Sequence, residues 1–136
     1  PLLLECCSHV DGGVRARAIA LLGQNRDSEA VDQIARGLAD PVPAVRIAAA
    51  DALGALGAKE ATPALIENLK SGDLRTRYVS RRALVQLWSV PGEPVDFETH
   101  DDWALFWGRQ AGTIANPIEL SELLPLVLPG ERFQDE

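Results

Sequence analysis

Apolar positions in the first two thirds of the chain recur at two scales. Ala30, Val31, Ile34 and Leu38 stand three and four apart, which is one stripe on an α-helix. Val45, Ala49, Ala52, Leu53 and Leu56 make a second stripe, rich in alanine, so neighbouring helices can approach closely. Asp40 and Pro41 mark the end of the first helix and the start of the next; Ser28 is expected to cap the first and Gly57 to close the second. Asp11 and Asp73 precede Val14 and Thr76 by three residues, where a carboxylate caps a helix start.

The larger scale is a shift of 31 residues. Residues 14–23 match residues 45–54, and a further shift reaches Thr76-Arg77 and Ala83-Leu84. Leu22, Leu53 and Leu84 share one place in the period, and Arg15, Arg46 and Arg77 another. The preceding segments obey the same shift: Leu3, Ile34 and Leu65; Leu4, Ala35 and Ile66; Cys7, Leu38 and Leu69. A helix pair cannot bury its stripe alone, so the pairs must stack. The expected fold is all-α: an α-solenoid of about three helix pairs, with Leu22, Leu53 and Leu84 in equivalent buried places.

Residues 40–57, Asp-Pro-Val-Pro-Ala-Val-Arg-Ile-Ala-Ala-Ala-Asp-Ala-Leu-Gly-Ala-Leu-Gly, resemble the HEAT-like repeat of phycobilisome-lyase type. Residues 11–23 are similar, and residues 71–88 less so, because Ser80 and Arg81 stand where that family prefers small apolar residues. The resemblance spans residues 1–88 and implies an α-α superhelix of armadillo-like fold; such repeats serve many functions. Pro1 aligns with Asp32, inside a first helix, and the chain holds no Met. A truncated first repeat in a piece of a longer protein is therefore expected.

From residue 89 the repeat stops. Residues 1–88 carry a net charge of +1 and residues 89–136 a net of −8, against −7 for the whole chain. Six of the seven aromatic residues lie from Trp88 onward. Pro91-Gly92-Glu93-Pro94 predicts a turn. His100 to Gln110 predicts a helix with Trp103, Phe106 and Trp107 on one face, suited with Trp88 to capping the last open stripe. Some proteins of this repeat type are similar here, ending in a Trp-x-x-x-Trp helix. Three regions are expected: repeats over 1–88, a turn and capping helix over 89–112, and an acidic tail over 113–136. Pro117 to Leu124 predicts a brief helix within the tail. Its apolar residues should fold back onto the array over 113–128, with Glu119 or Glu122 near arginines such as those of the basic third repeat.

Charge and composition then exclude several function classes. The acidic balance argues against general nucleic-acid binding, and 5% aromatics against a base-stacking platform. No apolar run approaches a membrane span. Cys6 and Cys7 are adjacent and fit neither a disulfide nor a zinc site, which suggests a reducing, cytoplasmic setting. His9 and His100 lack metal-ligand spacing. Deoxyhypusine hydroxylases resemble this repeat fold and bind iron through His-Glu pairs, but Val10 follows His9 and Asp101 follows His100. Beside Asp101 and Asp102, His100 reads as an exposed helix start. No phosphate loop, nucleophile elbow or catalytic triad is present. No enzyme activity, metal or cofactor is expected.

Arg15, Arg46 and Arg77 suggest either a phosphate ladder or, more simply, pairing with acids of adjacent units, Asp40, Asp51 and Asp73 being available. The non-core positions of the second helices offer the partner surface: Arg17, Ile47, Asp51, Arg75, Tyr78, Arg82 and Gln86, with Ala16, Ala20, Gln24, Ala48, Ala55 and Val79 between them. Tyr78 between Arg75 and Arg82 has hot-spot character. The expected function is a non-catalytic scaffold binding a protein or peptide through its concave face. The alternatives are a bilin lyase or chaperone-like subunit, which the family resemblance implies, and a regulatory domain of a larger enzyme.

Overall fold

The computed structural model describes residues 2–126. Among these, seven helices run α1 (Leu2–Cys6), α2 (Gly12–Gln24), α3 (Val31–Arg36), α4 (Pro43–Leu56), α5 (Thr62–Glu67), α6 (Leu74–Trp88) and α7 (His100–Gln110). The 31-residue shift governs their starts: Gly12, Pro43 and Leu74 open the second helices, Val31 and Thr62 the first helices. The chain is an all-α stack in which α2, α4 and α6 form one row and α3 and α5 the other. Leu22, Leu53 and Leu84 are buried in equivalent places.

Each complete first helix is a composite, with a 3-10 turn before it (Ser28–Ala30, Lys59–Ala61) and another after it (Gly37–Ala39, Asn68–Lys70). The cap expected at Ser28 falls one residue earlier, since the Asp27 carboxylate accepts from the Glu29 amide at 3.1 Å. Asp11 and Asp73 cap α2 and α6 as their spacing implies, Gly57 closes α4 at φ 71°, and the new start after Asp40 is Pro43, in the first turn of α4.

Close approach along the second-helix row depends on glycine. A Cβ on Gly23 would lie 2.8 Å from Ala52 Cβ, and one on Gly54 3.2 Å from Ala83 Cβ. Both partners are 31 residues apart, so one contact is made twice. The third place in this register is Val85, a side chain no further helix could approach so closely. Likewise Ile19 and Ala50 are fully buried, while the next residue in their register is Arg81. Arg81 pairs with Asp96 in the segment after α6, donating from Nε at 2.7 Å and from the guanidinium terminus at 3.0 Å. The stack thus ends where its sequence turns polar.

That segment turns tightly at Pro91-Gly92, with Gly92 at φ 83° and paired hydrogen bonds between Val90 and Glu93. α7 then packs beside α5. Trp103 is fully buried and donates its indole N–H to the Phe97 carbonyl at 2.9 Å. Phe97, Trp103, Phe106 and Trp88 meet at 5.0–5.8 Å, edge to face except for the tilted Phe97–Phe106 pair, Trp107 meets Trp88 at 6.3 Å, and the Trp88 indole N–H donates to the Thr62 hydroxyl at 2.9 Å. Such pairs contribute about 0.5–1.5 kcal/mol each beyond their buried area. Phe97 belongs to this cluster although no helical period marks it.

Residues 114–126 then cross the first-helix row. The Ile118 amide donates to the Glu60 carbonyl at 2.7 Å, and the Ala64 amide to the Ile118 carbonyl at 3.1 Å. Arg36 donates to the carbonyls of Leu124 and Pro125 at 2.8 and 2.7 Å. Leu126 is buried, with Ile118, Leu120 and Leu123 half-buried against the core. The segment forms only a 3-10 turn at Leu120–Glu122, since Pro117 and Pro125 confine it. It lies on Arg36 rather than on the arginines of the third repeat, and backbone carbonyls hold that arginine while Glu122 lies beside it. Residues 127 and 128 of the expected fold-back, and the tail to 136, lie outside the described residues.

Candidate surface on the second-helix row

The first-helix row is overlaid by residues 114–126, and the second-helix row carries the exposed functional groups. Tyr78 is 63% exposed. Arg82, one turn on, lies over its ring at 5.8 Å and donates to Asp51 of α4 at 2.9 Å. Tyr78, Arg81, Arg82, Val85 and Asp96 line a cavity of about 320 Å³ at the end of the row. The Asp96 carboxylate, hydrogen-bonded to Arg81, holds that guanidinium charged by raising its pKa further. The exposed Arg82–Asp51 pair is worth less than about 1 kcal/mol, so a partner's acid can take its place at little cost.

The structure therefore brings together Asp51, Tyr78 and Arg82 from the expected surface. Gln86 stands one turn beyond Arg82, its side chain against Gly54. Arg17 is exposed and Ile47 half-buried, while Arg75 is exposed in the first turn of α6; none of the three lines the cavity. Val79 is buried rather than presented, because it turns into the core with Ala83. Sequence reasoning missed Arg81, Val85 and Asp96 as cavity residues. The signal for Arg81 and Val85 was their departure from the register, but Asp96 lies in an aperiodic loop.

The periodic arginines hook the chain together. Each sends a terminal guanidinium N–H to main-chain carbonyls five or six residues earlier: Arg15 to His9 and Val10, Arg46 to Asp40 and Pro41, Arg77 to Ser71, at 2.8–3.1 Å. Arg15 is 1% exposed and also grips Asp40 of the next unit through two bonds of 2.9 Å. Pairing with an adjacent acid thus holds at Arg15; Asp51 pairs with Arg82, and Asp73 accepts from Thr76.

Cys7 is fully buried, and desolvation, with the neighbouring Cys6, pushes its thiol up to about 11, so it is a poor nucleophile. His100 is less exposed than a free helix start, at 19% of its side chain, because Nε2 meets Glu67 at 3.1 Å and Nδ1 meets Asp101 at 3.0 Å. Among the described residues no cluster of three or more His, Cys, Asp or Glu is placed to hold a metal ion, and no helix is long and apolar enough to cross a membrane.

None of the curated proteins matches the chain. The family profile for HEAT repeats matches residues 1–85, the span over which the shift of 31 sets both sequence and helix starts. With well over half of its length matched, the chain belongs to the HEAT-repeat family.

Proposed function

We propose that this chain is a non-catalytic scaffold that holds a protein or peptide segment against its second-helix row, anchored by Tyr78 and Arg82. HEAT repeats generally mediate protein interactions. The observation carrying the reading is Tyr78, an exposed aromatic flanked by an arginine whose ion pair with Asp51 is exposed and exchangeable. Tyrosine and arginine concentrate binding energy at interfaces, and the cavity beside them receives an apolar side chain against Val85. The partner segment would carry an acidic residue for Arg82, with Arg75 a further contact, and a bulky apolar one. In this reading residues 1–88 are the working array, 89–112 its aromatic cap through Trp88, Trp103, Phe106 and Trp107, and 113–136 the tail. The free Cys6 and Cys7 suit a reducing compartment such as the cytoplasm.

Selection from a random peptide library tests this directly. Selected peptides should bind the Tyr78→Ala/Arg82→Ala variant at least tenfold more weakly, each anchor being worth about 2 kcal/mol. Equal affinity for both proteins would end the reading.

A second reading rests on residues 40–57, whose resemblance is to the phycobilisome-lyase type of repeat: a bilin lyase or chaperone-like subunit. Titrating bilin into the protein distinguishes it, since a bound chromophore would show a red-shifted absorbance. A third, a regulatory domain within a larger enzyme, is compatible with the same peptide-binding surface.

A further inference from the structure

Beneath the periodic arginines lies an unfinished ladder. Residues 9, 40 and 71 share one register, and each side chain accepts from the amide two residues on: His9 Nδ1 from Asp11 at 3.0 Å, Asp40 Oδ1 from Val42 at 2.9 Å, Ser71 Oγ from Asp73 at 3.1 Å. Asp40 has a second duty, since its two oxygens receive Nε and one terminal nitrogen of Arg15. Shifted by 31 residues, the same pair is Arg46 and Ser71. A serine is too short to repeat the grip. Arg46 keeps its carbonyl bonds, but its Nε is buried with no hydrogen-bond partner among the described residues.

A cavity lies beside this pair. Arg46 and Ser71 line one cavity of about 560 Å³ with Asn68, Lys70 and Leu120. The acids in and near it hold other partners. Asp40 holds Arg15, and Glu67 meets His100 at 3.1 Å and Lys70 at 3.7 Å. Asp73 spends its Oδ2 on the amide and hydroxyl of Thr76. A desolvated guanidinium donor without an acceptor is costly, and a planar oxyanion meets its Nε edge with two parallel bonds.

We propose that this cavity is a carboxylate-binding site, in which two oxygens of the ligand take the edge of Arg46 as those of Asp40 take the edge of Arg15. Lys70 adds positive charge at the rim, and Asn68 is fixed by donating to the Leu38 carbonyl at 3.1 Å. The site is separate from the Tyr78 cavity and does not depend on the function proposed there. Its carboxylate comes either from a small free acid or from an aspartate or glutamate side chain of a partner.

Sodium acetate and N-acetyl-aspartate methylamide represent the two sources, with sodium chloride at equal ionic strength as reference. The full chain should show a shift of the Arg46 Nε–H resonance with carboxylate, and a rise in melting temperature of about 4 °C at tenfold excess over Kd. Ser71→Asp should raise the melting temperature without ligand and abolish both responses, because its own carboxylate occupies the site. Arg46→Lys, which keeps the charge but loses the two-donor edge, should abolish the response too and serves alone if Ser71→Asp does not fold. A response to acetate only assigns the site to free acids; one that includes the aspartate amide admits side chains. No shift at Arg46, or a response that survives in either variant, overturns the proposal.

Discussion

The junction between α2 and α4 and the junction between α4 and α6 share one register but not one chemistry. At the first, a fully buried arginine is closed by a carboxylate of the next unit, and Gly23 lies against Ala52. At the second, a serine stands in the place of that carboxylate, Arg46 Nε and Ser80 Oγ are buried without a hydrogen-bond partner among the described residues, and Arg82 reaches Asp51 only across exposed surface. Native interiors leave few polar groups unpaired, so two at one junction set it apart. The exposed tyrosine, the cavity beside it and the cavity lined by Arg46 and Ser71 lie on this side of the array. A single exchange in the register, aspartate at 40 for serine at 71, separates a permanent brace from an unfilled space.

The most severe way to break the comparison is to open the closed junction. Asp40→Ala leaves Arg15 charged and buried, and should cost about 3–5 kcal/mol, a large part of the stability of an ordinary domain. Ser71→Ala at the second junction loses the one hydrogen bond its hydroxyl accepts from the Asp73 amide and should cost about 1 kcal/mol or less. Urea unfolding of the two variants measures the difference, and similar midpoints would mean that the junctions are equally braced. The glycine contacts give a finer contrast. Gly23→Ala drives a Cβ to 2.8 Å from Ala52 Cβ and 3.0 Å from its Cα, whereas at Gly54 the atom at 2.8 Å is the movable end of Gln86, with Ala83 at 3.2 Å. Expected costs are about 2–3 and about 1 kcal/mol respectively, read in the same experiment.

How much of this was legible without coordinates depends on whether a feature repeats. The helix pairs, the equivalent leucines, the caps at Asp11 and Asp73 and the left-handed Gly57 follow from spacing, because each is set within one turn of helix or by the 31-residue shift. The burial of Arg15 was not visible: in a string it is one more surface cation, and only the reach of Asp40 across the junction encloses it. The path of the tail was half visible. Its apolar residues showed that it must be covered, but the anchor is two backbone carbonyls on Arg36, and carbonyls leave no mark in a sequence. Asp96 went unseen for a related reason, since loops lack the periodicity that assigns a side chain its direction.

Ser80 sharpens the contrast in the opposite sense, as a gain. Its register mates Ala18 and Ala49 are buried apolar residues, and its hydroxyl is desolvated with no partner among the described residues. Ser80→Ala should stabilise the protein by about 1 kcal/mol, a rise of about 3 °C in melting temperature. A fall would show that the hydroxyl has a partner after all.

The smallest effect separates the junctions by acid. Asp73 stands in the register of Asp11 and Val42, so the second junction carries a carboxylate where the first carries a valine. Its pKa is lowered, chiefly by the hydrogen bond from the Thr76 hydroxyl and further by the Thr76 amide, the charge of Arg46 and the Arg75 amide, against a partial desolvation that raises it. In the unfolded chain the group returns to the ordinary value of 3.8. Since the folded pKa is the lower, the ionised carboxylate stabilises the fold fully above about pH 4, and that contribution fades as pH falls through the folded value. Asp73→Asn removes the titration but keeps an acceptor for Thr76. The gap in stability between wild type and Asp73→Asn should therefore be constant from pH 7 to about pH 5, and should narrow towards pH 3. Urea titrations at pH 7, 5 and 3 measure it, and a gap that widens with acid would reverse the sign assigned to Asp73.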